Sequence, residues 1–231
     1  VCSATGLASD GTELTARVPH GMERPMLLWF GISLLVAGFL AFAVDRRAAH
    51  FFHDELHQRW AAIIHRTTDW AKGSHWLIIA AIVFSGSWFY QRLTGPGPVL
   101  TLAQRTALAF LASLAIASIV LHSTKIVLGR RRPRDELELG LYGWRPFHFD
   151  SQYDSFPSGH ALTIFCVAVI LAGALPALTW FWFAVAIYLA TTRALLNSHY
   201  LSDVFVGAGL AILVTREVVM NWFPATTQAW F

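Results

Sequence analysis

The sequence predicts an all-α integral membrane protein: a six-helix bundle with one additional amphipathic helix lying in the membrane interface. Three observations carry that prediction. Of the 231 residues, 55% are hydrophobic and 13% charged, and the mean hydropathy is +0.50, whereas soluble domains carry about 25% charged residues. The apolar residues gather into six long runs, and a run of about 20 spans a bilayer core. Between the first two runs, apolar and charged residues recur instead at helical spacing, the pattern of a helix that lies on a bilayer.

The elements follow in order. Residues 1–24 form a mixed polar tail without the charged-then-apolar layout of a secretory signal. The tail is expected to be disordered, and residues 25–225 to form one membrane domain. The first crossing covers 27–44 and is closed by Asp45, Arg46 and Arg47. From 48 to 72, Phe51, Phe52, Leu56, Trp60, Ile63 and Ile64 mark the apolar stripe of the interfacial helix, which also carries His50, His53, His57 and His65. Without a matching set of carboxylates, these histidines read as solvated groups rather than a metal site. The second crossing covers 76–90, with aromatic residues at both ends, where interface belts lie. A connector rich in glycine and proline (93–98) leads to the third crossing, 102–128, which runs into the basic block 125–134. A polar loop with Asp135, Glu136, Glu138, Asp150 and Asp154 follows. The fourth crossing starts near Gly159, Pro176 marks a tight turn, and the fifth and sixth cover 178–196 and 201–219. Six crossings place the loop after the third helix and the link between the fifth and sixth on one membrane face.

Composition narrows the partners. A net charge of +3 and a pI near 9.1 suit an anionic partner such as a lipid head group. The basic residues do not interleave with aromatics as a nucleic-acid surface requires, so no nucleic acid is expected. Cys2 and Cys166 show no metal-ligand spacing. No metal or other cofactor is expected.

Three short segments carry chemistry. His199 and Asp203 stand four apart, so on a helix they share a face and the carboxylate can reach the imidazole. Such a contact fixes the tautomer, leaves the other ring nitrogen as an acceptor and stabilises an imidazolium, which is how a histidine becomes a nucleophile. Taken alone, such a pair is more often a buried histidine with a hydrogen-bond partner. Arg193 lies on another face of a continuous helix, and a break at the turn residues Asn197 and Ser198 would bring it back toward His199. Lys125 precedes Arg132 and Pro133 by two turns, so a helix continuing past Gly129 would aim both cations at one site. The block Lys125, Arg130, Arg131, Arg132 and Arg134 reads equally well as a positive-inside anchor. The segment from Phe156 to His160 decides between them. Ser158 is a favoured N-cap, Gly159 lets the backbone approach a ligand, and a helix N-terminus is a ready anion site. His160, in the first turn, is placed to give a proton to a leaving group.

Together, Lys125 with Arg132 and Pro133, the run Pro157-Ser158-Gly159-His160, and Arg193 with His199 and Asp203 resemble the three-part signature of the type 2 phosphatidic acid phosphatase (PAP2) superfamily. That superfamily also includes glucose-6-phosphatase and the vanadium haloperoxidases. Motif order and spacing agree over residues 125–203, with no departure at any motif position. The resemblance implies a metal-independent membrane phosphatase acting on a lipid phosphate or diphosphate. By it, His199 would attack phosphorus to form a phosphohistidine, Asp203 would orient it, and His160 would protonate the leaving group. Lys125, Arg132, Arg193, Ser158 and the Gly159 N–H would hold the phosphoryl oxygens, three cations doing what magnesium does elsewhere. The candidate substrates are phosphatidic acid, phosphatidylglycerophosphate, undecaprenyl diphosphate and lipid A phosphate, with a bacterial envelope lipid preferred.

Residues outside the signature read more plainly. Arg130, Arg131 and Arg134 are expected to be head-group contacts or, preferably, solvated charges. Trp144, Phe147 and Phe149 read as interfacial anchors before a lipid entrance, and Cys166 and the aromatic run 180–183 as lipid-facing or packing residues. Three rival activities share the site. Lipid phosphotransfer would use it with a second lipid in place of water. A vanadium haloperoxidase is opposed by the apolar spans, since those relatives are soluble, and an anion transporter by the paired histidines. The resemblance to bacterial members implies an inner-membrane protein with its site toward the periplasm. The basic residues run against it, being more numerous in the site-side loops (Arg46, Arg47, Arg59, Arg66 and Lys72 among them) than on the opposite side.

Overall fold

The computed structural model describes residues 26–55, 58–147 and 149–224. The predicted polar tail, 1–24, and His57 lie outside the described residues. Each predicted apolar run becomes a helix: α1 (Met26–Ala41), α4 (Gly73–Thr94), α5 (Pro98–Leu128), α7 (Gly159–Ala174), α8 (Thr179–Leu195) and α9 (Leu201–Trp222). Among the described residues three helical spans are long and apolar enough to cross a membrane, or four if the bent pair of α1 and the helix after it is one span. The segment expected to be an interfacial helix is helical over α2 (Asp45–Glu55) and α3 (Gln58–Thr68) and ends in a short 3₁₀ turn, Asp69–Ala71. The chain bends by 83° between α1 and α2. One further short helix, α6 (Pro133–Leu139), lies in the loop after α5.

The bundle is built around α7. Its sequence is apolar on every side, with no acidic residue in its first turn and no basic residue in its last, and 161–170 are all buried. A helix without a polar stripe belongs at a bundle centre, and α5, α8 and α9 pack around it while α1 lies along α9. Outward faces are apolar too: Ile78, Ile82 and Phe89 on α4 and Trp180 and Phe181 on α8 are exposed, as lipid contact requires. Trp182 and Phe183 turn inward against the core, and Cys166 is fully buried. The close approach of α9 to the start of α7 depends on Gly207, where a Cβ would stand 2.5 Å from the Ser158 carbonyl oxygen. That contact sets the two motif-bearing helix ends side by side.

Candidate active site

Four helix ends meet at one end of the bundle: the C-termini of α5 and α8 and the N-termini of α7 and α9. They surround a cavity of about 320 Å³ lined by Lys125, Arg132, Gly159, His160, Arg193 and His199, together with Gly73, His122 and Asp154. Six of the eight residues singled out from the sequence therefore line one space.

Each is held there by a local break. The helix α5 ends at Leu128, because Gly129 adopts φ +56° and its N–H closes back on the Lys125 carbonyl. No other residue fits, since a Cβ would lie 2.0 Å from the Arg145 carbonyl oxygen. The helix therefore ends where the predicted third crossing does and does not continue to Arg132. Arg132 instead caps α6 in extended conformation, and a turn rather than a helical face brings it beside Lys125. The break after α8 is the expected one. Asn197 has φ +50°, and the N–H groups of Ser198 and His199 both donate to the Arg193 carbonyl, folding the loop back. Ser158 caps α7 through its hydroxyl, which accepts from the Ala161 N–H, and is wholly buried rather than cavity-lining. Gly159 supplies the helix start that faces the cavity.

The three cavity cations are incompletely satisfied. Arg132 donates twice to Asp154 Oδ1, at 2.9 and 2.6 Å. Lys125 donates to the Asp154 carbonyl. Arg193 donates to Thr68 Oγ1 at 3.1 Å, and its Nε has no partner among the described residues. An isolated cation costs most when buried, so the arrangement favours an anion.

His199 is 4% exposed and its Nδ1 lies 2.7 Å from the Ser155 carbonyl oxygen. A carbonyl only accepts, so Nδ1 carries the proton and Nε2 keeps its lone pair. The Asp203 carboxylate is further away, 3.7 Å from Nδ1. Its Oδ2 accepts instead from the Ser155 hydroxyl at 2.5 Å and the Tyr200 N–H at 2.9 Å. Burial pushes the His199 imidazole down to about 4, against the opposing pull of Asp203.

Arg130 corrects the sequence reading most sharply. It is not a solvated charge: it is fully buried, and its guanidinium donates to Asp203 Oδ1 at 2.6 Å, Ser202 Oγ at 2.7 Å and Asp45 Oδ2 at 2.8 Å. The rings of Phe42, Trp144 and Tyr200 stand 5.0, 5.0 and 3.9 Å from it. Trp144 is thus part of this cage, while Phe147 and Phe149 face outward. Arg131 bonds the Tyr153 hydroxyl, and Arg134 is exposed.

With this geometry in view, the relatives fall into place. The sequence profile of the PAP2 superfamily matches residues 106–227, which include every cavity cation, both histidines and Asp203. The chain belongs to the PAP2 superfamily. A lipid A 1-phosphatase of Rhizobium johnstonii is 28% identical over 142 residues, covering 58% of this chain and 57% of the relative. Another, from Rhizobium etli, is 31% identical over 138 residues, covering 58% and 60%. The chain thus spans less than two thirds of the length of the curated relatives it matches. Two solved structures share the fold. A transmembrane phosphatidylglycerolphosphate phosphatase from Bacillus subtilis has a TM-score of 0.57 at 19% identity, covering 89% of this chain and 98% of its own. LpxE from Aquifex aeolicus has 0.55 at 16%, covering 77% and 96%.

Asp45, Thr68, Ser155 and Asp154 escaped the sequence reading as site residues. A signal existed for Asp45 alone, a carboxylate directly at the end of an apolar run.

Proposed function

We propose that this PAP2 protein is a membrane phosphatase that removes a phosphoryl group from a lipid, without a metal, through a phosphohistidine. One observation carries the reading: His199 is fixed with Nδ1 protonated and Nε2 free beside a cavity holding three incompletely paired cations. In this scheme Nε2 attacks phosphorus in line, and the bond to the leaving oxygen breaks as His160 protonates it. Water then attacks the phosphohistidine, His160 takes its proton, and the P–Nε2 bond breaks to release inorganic phosphate and return His199 neutral. Lys125, Arg132, Arg193 and the Gly159 N–H hold the phosphoryl oxygens where charge develops. Ser158 contributes by capping α7 rather than by touching phosphate. Asp154, which pairs with Arg132, must yield when a phosphate enters.

The Rhizobium relatives make the 1-phosphate of lipid A the first substrate to try, ahead of phosphatidic acid, phosphatidylglycerophosphate and undecaprenyl diphosphate. Phosphate release from all four would be measured in detergent with EDTA, wild type beside His199→Ala. Release by wild type alone supports the reading. Equal release by both removes His199 as nucleophile. We place the site on the periplasmic side of a bacterial inner membrane. A cysteine at Gln152 that resists a membrane-impermeant thiol reagent in intact cells would overturn that orientation.

A further inference from the structure

The buried cluster behind His199 holds more charge than it needs for packing. Arg130 lies between two carboxylates, Asp45 and Asp203, and all three side chains are fully buried. Asp45 meets only donors: Arg130 Nη2 at 2.8 Å, the Ser202 N–H at 3.0 Å and the Ser202 hydroxyl at 2.5 Å. Asp203 likewise meets only donors. Both contact sets are those of ionised, acceptor-only carboxylates. One guanidinium against two carboxylates leaves one negative charge unbalanced.

Arg130 also governs the histidine by a second route. Its carbonyl accepts from the Ser155 N–H at 3.0 Å, and Ser155 in turn gives its hydroxyl to Asp203 and its carbonyl to His199 Nδ1. A single residue therefore fixes the carboxylate and the carbonyl that together face one edge of the imidazole. Arg130 alone would cancel most of the Asp203 charge. An imidazole that becomes cationic on phosphorylation would then gain little from it.

We propose that Asp45 and Arg130 are positioning residues, with Asp45 as the counter-charge that lets Arg130 hold Asp203 in place without neutralising it. The cluster carries one stored negative charge while His199 is neutral, and the charge is balanced when His199 becomes a phospho-imidazolium. Asp45 sits at the bend between α1 and α2, so the interfacial segment reaches the nucleophile through the buried relay of Arg130 and Asp203. The inference rests on the phosphohistidine reading above.

The test compares wild type, Asp45→Asn and the double variant Asp45→Asn/Arg130→Gln, each confirmed folded by size exclusion and thermal melting. Asp45→Asn removes the stored charge, and the double variant restores it. On a hydrolysed lipid, kcat for Asp45→Asn should fall on the order of 30-fold, one unit charge acting across a few hydrogen bonds at an effective dielectric near 20. KM should not rise, because the cavity becomes more cationic. The double variant should recover part of the lost kcat. A double variant no better than the single one would reduce the cluster to packing and overturn the proposal. If Asp45→Asn does not fold, the double variant is compared with wild type directly: kcat within about tenfold supports the proposal, and a larger loss refutes it.

A second readout needs no turnover. Orthovanadate can bond to a histidine nitrogen as phosphoryl transfer does, and inorganic phosphate cannot, so the ratio of their dissociation constants cancels the shared anion charge. Relative to wild type, the preference for vanadate should fall about tenfold or more in Asp45→Asn and return in the double variant. A wild type that shows this preference yet hydrolyses none of the lipids would sink the phosphatase reading alone. An unchanged preference in Asp45→Asn would sink the cluster proposal alone.

Discussion

Two groups of cations stand near His199, and they differ in how the protein pairs them. Arg130 is wholly buried between two buried carboxylates and three aromatic rings. Arg132, two residues on, keeps 22% of its side chain exposed and pairs with Asp154, itself 37% exposed. Lys125 and Arg193 face the same cavity, held among the described residues by a carbonyl and a threonine hydroxyl. Charge alone does not separate these residues. Placement and pairing do: Arg130 lies outside the cavity against two buried carboxylates, although its Nε has no partner among the described residues, whereas the cavity cations meet at most one carboxylate and face the space a ligand would fill.

Substitutions break this comparison in different ways. His199→Ala, which removes the group both regions serve, should have the largest effect, a loss of turnover of about 10⁴-fold or more by phosphate release. Arg130→Met should come next and should act on the fold as well. It leaves two carboxylates buried without a cation, a cost of about 3–5 kcal/mol that should appear as a lower Tm in detergent. Arg132→Ala and Arg193→Ala should each lower kcat/KM by about 10²–10³-fold while leaving Tm near the wild-type value. If either lowered Tm as much as Arg130→Met does, the division into structural and cavity-facing cations would fail.

A subtler effect concerns protons. Burial holds the His199 imidazole down to about 4 from the usual 6.5, so the native ring stays neutral through mildly acidic pH. Between those values the unfolded chain binds a proton that the native protein does not. This contribution to stability is therefore complete above 6.5 and is lost as the pH falls toward 4. The acidic limb of kcat/KM should correspondingly lie well below 6.5, and a limb at 6.5 would mean that water reaches the ring.

The sequence made the helices and the cavity cations legible for different reasons than it hid the cluster. Long apolar runs announce α1, α4, α5, α7, α8 and α9 by composition alone, since lipid selects for it. Spacing around short motifs announces Lys125, Arg132, His160, Arg193 and His199. Arg130 sits in the same motif segment, but its role depends on Asp45, 85 positions earlier. No local periodicity records such a pairing. Ser155 was equally hidden, because it acts on His199 through a main-chain carbonyl that every residue possesses. The end of α5 at Leu128 was legible as the limit of the third crossing, but its cause was not: the carbonyl of Arg145 that excludes a side chain at Gly129 comes from beyond α6.

The smallest expected effect sharpens the comparison from the other end. Arg134 belongs to the same block and carries the same charge, yet 61% of its side chain is exposed and its nearest carboxylate, Asp135, lies 3.8 Å away. A solvated pair at that distance contributes at most about 1 kcal/mol, because water screens the charges and two side chains must be ordered to hold them. Its N–H does donate to the Asn197 carbonyl, but that bond is main chain and survives substitution. Arg134→Ala should therefore change Tm and kcat by amounts close to experimental error, with any change in KM confined to low salt, where an exposed cation still attracts an anionic lipid surface. A loss of kcat as large as that of Arg132→Ala would place Arg134 among the ligand-facing cations and show that exposure, rather than unmet hydrogen bonding inside the cavity, marks the residues that act on phosphate.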